Sequence, residues 1–434
     1  MSPATAGIIG IVVLVALFLL RMPVAFAMAL VGFVGFASLT SPEAALNLLG
    51  IDIFESFSSY PLTVIPMFIL MGTFAFASGI SRRLFKTAYA WIGHRRGGLT
   101  VATVFACAGF GAICGSSTAT AATMGKIALP EMKKYKYDDT LAAGTVAAAG
   151  TLGILIPPST VLLVYGILTE QSIGKLFVAG VVPGILLSIF FALTVVFLCW
   201  RKPSIGPPGT PSSWREKFKS LTGIIEALLL FLLAIGGLFL GWFSPTQAGA
   251  IGAGGALIIG LARRQISWKA FIDAGKDGLA TSCMVIFIIT GAVIFGHFMA
   301  VSRIPFLLAE WLGGLPIHPM AVMGLIVFIY FLGGFFMDSM GLIVVTVPIF
   351  FPIVEKLGFD PIWFGVIIVL TGEMGVITPP VGVNVFVIKG IAPDIPLERI
   401  FRGILPFLVA LILFTIVITI FPQIATFLPS LISY

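Results

Sequence analysis

Apolar residues run along this chain in blocks near the length of a bilayer crossing, separated by short polar intervals. Candidate spans fall at roughly 4–20, 23–40, 61–79, 98–132, 140–169, 175–199, 220–240, 245–262, 279–300, 316–353, 361–391 and 403–425. A hydrocarbon core of about 30 Å needs about 20 helical residues, so the pattern predicts an all-α polytopic membrane protein. Four blocks are too long or too broken for a single crossing. Blocks 140–169 and 361–391 carry Pro157-Pro158 and Pro379-Pro380 in mid-run. Proline removes a helical hydrogen bond and clashes with the preceding turn, so each block predicts a discontinuous helix.

Blocks 98–132 and 316–353 set the topology. Arg82, Arg83, Lys86, Arg95 and Arg96 precede the first, and Lys133, Lys134 and Lys136 follow it. With both flanks on the cytoplasmic face, the block enters and leaves from one side. It is then a re-entrant hairpin with Gly115-Ser-Ser-Thr118 at its tip; the same reading puts Met337-Asp-Ser-Met-Gly341 at the second tip. Irregular backbone at such a depth must be buried in protein or line a cavity. With both termini outside, this scheme gathers 21 of the 25 Lys and Arg residues on the inner face, as the positive-inside rule requires. It gives ten crossings and two hairpins.

Shifting the chain by 222 positions brings Gly111 onto Gly333, Ser117 onto Ser339, Gly153 onto Gly375 and Pro157-Pro158 onto Pro379-Pro380. The matches are mostly Gly, Pro, Ser and Asp, the residues that punctuate structure. Each half, 1–200 and 220–434, then holds five crossings, one of them discontinuous, and one hairpin. Five is odd, so the second repeat is inverted relative to the first, an architecture of secondary transporters. The basic segment 201–219 is the cytoplasmic link. Stretch 41–60 is too polar to span and reads as an interfacial amphipathic helix, with 303–315 as its counterpart.

Composition narrows the function. Of 434 residues, 59% are hydrophobic and 10% charged, against about 25% charged in soluble domains, and no polar interval is long enough to fold alone. The net charge of +7 reports membrane orientation and not a nucleic-acid partner. Cys107, Cys114, Cys199 and Cys283 lie in apolar context and read as small core residues. The first helix reads as retained and not as a cleaved signal. His94, His297 and His318 are scattered, and no zinc-protease, P-loop or nucleophile motif occurs, so the chain is not read as an enzyme, and no organic cofactor is expected. An ion channel is disfavoured by the internal two-fold repeat.

The tips and breaks carry the candidate chemistry. Carbonyls and hydroxyls freed at a break suit a hard cation such as Na+, and helix N-termini suit a carboxylate. Candidate Na+ ligands are Ser116, Ser117, Thr151, Gly153 and Pro157 in the first half, and Asp338, Ser339, Gly372, Gly375, Thr378 and Pro379 in the second. Candidate substrate contacts are Ser116, Thr118, Pro158, Ser159 and Asn384, with Thr160 and Thr371 nearby. Asp338 stands where Ser116 stands, and Glu373 where Thr151 stands. Lys126 on the descending arm reads first as a side chain snorkelling to the cytoplasm, with substrate contact as the lesser reading. Glu226 reads as an interface or packing residue.

Two wordings carry a resemblance. Gly-Ala-Ile-Cys-Gly-Ser-Ser-Thr-Ala-Thr-Ala followed by Gly-Thr-Leu-Gly-Ile-Leu-Ile-Pro-Pro-Ser, and Gly-Glu-Met-Gly-Val-Ile-Thr-Pro-Pro-Val-Gly-Val-Asn in the second half, resemble the large membrane (permease) subunit of tripartite ATP-independent periplasmic (TRAP) transporters, DctM/SiaM-like. The resemblance covers essentially the whole chain. It implies a bacterial or archaeal inner-membrane, Na+-coupled importer of an organic acid such as a C4-dicarboxylate or sialic acid. It implies an elevator-type fold of the wider ion-transporter superfamily, whose stand-alone dicarboxylate carriers are the alternative reading. It also implies two partners, a small four-helix membrane subunit (DctQ/SiaQ-like) and a periplasmic substrate-binding protein. The large-subunit pattern begins at once, so a chain not fused to the small subunit is expected.

Overall fold

A computed structural model describes residues 2–313 and 318–431. The first residues of block 316–353 and the end of segment 303–315 therefore lie outside the described residues. Helices account for the ordered elements, and no strand occurs among the described residues. Seven helices are long and apolar enough to cross a membrane, and eight if Pro42–Ser58 and Pro61–Ala77, bent by 53° at their junction, count as one broken span. Six of the seven coincide with predicted crossings; the seventh, Ser339–Lys356, is an arm of the predicted second hairpin. Pro3–Leu19, Val24–Leu39 and Pro361–Ile377 are equally apolar but shorter.

Local chemistry sets where the helices begin. Ser2, Ser41, Ser172, Ser213, Ser244 and Ser267 each cap a helix by accepting from a backbone N–H in its first turn. Such caps contribute about 1 kcal/mol each. Pro3, Pro42 and Pro245 sit in the first turn, where a missing N–H costs nothing.

Two helices form the centre. Every residue from Leu141 to Gly150 is buried, as is every residue from Ile362 to Ile377. The outer helices, in contrast, leave apolar side chains uncovered, such as Val12, Leu19, Leu193 and Ile258. Helices apolar on all sides yet exposed on one are suited to lipid.

The halves interleave. Val24–Leu39 packs along Trp268–Ser302, Val64–Ala77 along Pro245–Ala262, and Asp139–Gly150 along Leu397–Ile420. Small residues permit the close crossings: a Cβ on Gly32 would lie 2.7 Å from Phe295 N. Tyr165 donates to Pro361 O at 2.6 Å, which joins the two broken-helix regions.

Three sequence readings need correction. The basic interval before block 98–132, outside every predicted span, is largely the helix Ile80–Ile92, which buries Ile80, Leu84 and Phe85 and turns its bases outward or into ion pairs. The predicted crossing 279–300 belongs to a longer helix, Trp268–Ser302. Cys283 is exposed, whereas Cys107 and Cys199 are buried as expected. Glu226 does sit at an interface: it forms ion pairs with Arg83, at 2.7 Å, and with Arg263. His297 faces Asp52 at 3.2 Å, and His318 caps the helix Pro319–Gly333.

Candidate functional site

The first tip is made by one glycine and one serine. Helix Gly98–Cys114 ends at Gly115, whose φ of +66° is a left-handed conformation that favours glycine. A side chain there would also meet the carbonyl of Pro158 at 2.5 Å. Ser116 then caps helix Ser117–Lys134 by accepting from Ala119 N at 3.4 Å, with its hydroxyl 3.3 Å from that of Thr118. The second tip uses different residues. Asp338 caps helix Ser339–Lys356, accepting from Gly341 N at 3.3 Å. Each tip therefore presents a helix N-terminus.

Each tip leans on a break. In the first, helices Asp139–Gly150 and Leu152–Leu155 run into the cis peptide Pro157-Pro158, and Ser159 caps the next helix, Thr160–Leu168. Thr160 Oγ1 donates to Gly115 O at 2.9 Å, tying the break to the tip. In the second, helix Pro361–Ile377 ends before the cis peptide Pro379-Pro380, and Val383–Ile391 follows. Close glycine contacts fix both junctions. A Cβ on Gly111 would lie 2.7 Å from Gly153 Cα, and one on Gly334 would lie 2.9 Å from Gly375 Cα.

Two buried polar bonds complete the frame. Asn384 Nδ2 donates to Ser117 Oγ at 2.8 Å and to Ala147 O at 3.1 Å, which links the second break to the first tip. Ser339 Oγ donates to Glu373 Oε1 at 2.7 Å, which links the second tip to the second broken helix. All four side chains are almost fully buried. Thr120 Oγ1, Glu373 Oε2 and Asn384 Oδ1 are buried polar atoms left with acceptor capacity.

These parts surround one cavity of about 840 Å³. Ser116, Ser117 and Thr118 reach it from the first tip, and Asp338 and Ser339 from the second. Thr160 and Glu373 reach it from the broken helices. The opposite wall comes from Val64–Ala77 and Trp268–Ser302, through Thr73, Phe76, Asp273 and Asp277. Among the described residues no group of three or more His, Cys, Asp or Glu is clustered for a metal. The oxygen-bearing side chains that line it are hydroxyls and carboxylates, the donor types that suit a hard cation.

The remaining candidates are not among the cavity-lining residues. Thr151 and Thr378 spend their hydroxyl protons on Ala148 O at 2.6 Å and Met374 O at 2.8 Å within their own helices. Gly153, Gly372 and Gly375 are packing contacts. Ser159 is buried and acts as a cap. Pro157 and Pro158 are buried, whereas Pro379 and Pro380 are exposed. None of these, nor Asn384, is among the cavity-lining side chains. Lys126 lines the cavity. Asp273, Asp277 and Thr281 line it too and are not among the sequence candidates; Asp273 and Asp277 stand just before the predicted crossing 279–300. The signal was present: 270, 273, 274, 277 and 281 share one face at helical spacing.

Comparison with known proteins gives the family. The profile described as "Tripartite ATP-independent periplasmic transporter, DctM component" matches residues 11–424. The C4-dicarboxylate TRAP transporter large permease protein DctM of Pseudomonas aeruginosa is 39% identical over 398 residues, covering 90% of this chain and 91% of the relative. The sialic acid TRAP transporter large permease protein SiaM of Vibrio cholerae is 32% identical over 411 residues, covering 94% and 95%. The YdaH transporter of Alcanivorax borkumensis shares the fold, with a TM-score of 0.63 over 88% of this chain and 89% of that one, at 16% identity. The chain therefore belongs to the DctM family, the large permease components of TRAP transporters, and is a transporter subunit and not an enzyme.

Proposed function

We propose that this chain imports an organic acid across the inner membrane, coupled to Na+, by an elevator movement of its hairpins and broken helices against the remaining helices. The observation that carries the reading is the single cavity onto which both tips and both broken helices converge. Its two kinds of wall support a division into carrier and scaffold: tips and breaks on one side, Val64–Ala77 and Trp268–Ser302 on the other. Na+ is the coupling cargo, held near the tips by oxygens of Ser116, Ser117, Asp338 and Ser339; the substrate carboxylate takes a helix N-terminus.

Element bounds support the inverted repeat. Ser117–Lys134 and Ser339–Lys356 are offset by 222 positions at both ends, and so are Asp139–Leu155 and Pro361–Ile377. The same offset revises the pairing of the amphipathic arms. Helix Ile304–Gly313 corresponds to Ile80–Ile92, and Pro42–Ser58 corresponds to the start of Trp268–Ser302. The base count supports a cytoplasmic position for the Lys126 and Asp273 end of the cavity, with both termini periplasmic.

The substrate class follows the relatives, which are named for C4-dicarboxylate and sialic acid. A small DctQ-like subunit is the proposed membrane partner, since an isethionate permease of Oleidesulfovibrio alaskensis, 37% identical over 370 residues, is named DctMQ. A periplasmic binding protein delivers the acid. Reconstitution into proteoliposomes under a Na+ gradient, with and without the two partners, tests all of this. Uptake is expected only with the gradient and both partners. Uptake by the chain alone identifies a stand-alone carrier instead, and uptake without Na+ removes the coupling.

A further inference from the structure

Lys126 is the one cationic side chain lining the central cavity among the described residues, and it shares that lining with four acids: Asp273, Asp277, Asp338 and Glu373. It is exposed to the cavity and makes no ion pair among the described residues. It stands on the same helix as the first tip. Thr118, Ala119, Ala122, Thr123 and Lys126 all line the cavity, one continuous face of Ser117–Lys134. From Thr118 to Lys126 is about 12 Å along the axis at about 1.5 Å per residue. Side chains on a helix tilt toward its N-terminus, so the long lysine stem leads back toward the tip. That shortens the gap between ammonium and tip to the scale of a small diacid. A carrier for anions whose cavity is lined by four carboxylates needs a fixed positive charge, and the protein supplies this one.

We propose that Lys126 receives the second anionic group of the substrate while the first sits at the tip, so that this permease selects acids with two negative charges over singly charged ones. The inference rests on the organic-acid reading above and adds to it a specificity-determining residue. Charge-assisted hydrogen bonds to carboxylate are the strong ones, and a lysine acts in them as a point charge rather than a shaped fork. Arginine at this position is therefore expected to keep the preference for charge.

The test is binding to the full chain purified with its small membrane subunit in Na+, with succinate as the dianion and succinamate as the matched monoanion. The wild type is expected to bind succinate at least about tenfold more tightly, the factor that one modest ionic contact supplies. K126Q is expected to weaken succinate about tenfold and succinamate less than about twofold, and K126R to restore most of the loss. Equal weakening of both acids, or no weakening, overturns the assignment. So does a wild type that does not discriminate, a result that needs no variant to fold. A K126Q chain that is destabilised without ligand, with D273N and D277N matching it, makes Lys126 a structural partner of those acids and also overturns it. If neither acid binds while another organic acid shows Na+-driven uptake, the proposal for Lys126 fails and the transport reading stands. If no organic acid is taken up at all, the transport reading itself fails.

Discussion

The two tip-and-break units are laid out on one plan and finished in different chemistry. In the first, the turn is Gly115 in a left-handed conformation; 222 positions on, the residue is Met337, and the backbone takes no positive φ. The first cap is Ser116 and the second Asp338. Ser117 bonds to Asn384 across the halves, while its counterpart Ser339 bonds to Glu373 within its own half. The first Pro-Pro pair is buried and the second exposed. The lesson is that the shared plan fixes where polar groups meet, and that each unit then sets its own charge. The first unit offers the cavity only neutral oxygens, whereas the second brings Asp338 and Glu373. Under the Na+-coupled reading, the second unit is the one able to neutralise a cation outright.

The junction glycines give the largest expected effect. Gly375→Ala would drive a Cβ into the backbone of Gly334, which has no side chain to rotate away. Overpacking of this kind costs typically 1–3 kcal/mol, and about 3 kcal/mol is expected here. Gly153→Ala meets the side chain of Thr120 and the carbonyl of Ser116, 2.7 Å away. Part of that contact can relax, so about 2 kcal/mol is expected. Thermal unfolding of the two purified variants reads the difference; a milder Gly375→Ala would mean that the second junction is the looser one.

Exchanging the turn residues comes next. Gly115→Met puts a side chain where φ is +66° and the carbonyl of Pro158 is 2.5 Å away. The left-handed conformation alone costs about 1–2 kcal/mol. The reverse change, Met337→Gly, needs no special conformation and is expected to cost less than about 1 kcal/mol, mostly backbone entropy. Equal losses would break the claim that the two tips have different backbones.

The serines differ more finely. Ser339→Ala removes a 2.7 Å hydrogen bond to a carboxylate, and bonds to charged groups are worth about 1.5–3 kcal/mol. Ser117→Ala removes a neutral 2.8 Å bond and leaves Asn384 its second acceptor, Ala147 O, so about 1 kcal/mol is expected. Denaturant or thermal midpoints rank the pair. Uptake per folded molecule should fall for both, since both serines line the cavity.

Much of this was legible in the sequence, for physical reasons. Gly, Pro and Asp constrain the backbone wherever they stand, so the tips at Gly115 and Asp338 and both Pro-Pro breaks could be read from residue type alone. The cavity's other wall could not. Asp273 and Asp277 look like loop residues because charge normally leaves the membrane, yet they stand on the long helix Trp268–Ser302 and line the cavity. The basic helix Ile80–Ile92 was hidden in the same way, since its apolar face, Ile80, Leu84 and Phe85, is narrow beside its arginines. The Ser117–Asn384 bond joins residues 267 positions apart and has no local signature. Thr151 and Asn384 are buried and not among the cavity-lining residues, and burial depends on packing that no local pattern encodes.

The finest comparison exchanges the caps themselves. Asp338→Ser gives the second tip the residue of the first, and Ser116→Asp does the reverse. Asp and Ser are about equally good N-caps, so neither exchange should move stability by more than about 0.5 kcal/mol. Folding is thereby held nearly constant while charge changes. If Asp338 holds the coupling ion, Asp338→Ser removes the charge opposite Na+, and half-maximal Na+ for uptake should rise about tenfold, the factor for about 1.4 kcal/mol. Ser116→Asp adds a carboxylate near an anion-binding N-terminus. It should raise half-maximal substrate more than half-maximal Na+, because like charge opposes the anion and favours the cation. Titrating Na+ at fixed substrate and substrate at fixed Na+ separates the two. An Asp338→Ser chain with unaltered Na+ dependence would assign Asp338 to the cap alone and leave the two units electrically alike toward the ion.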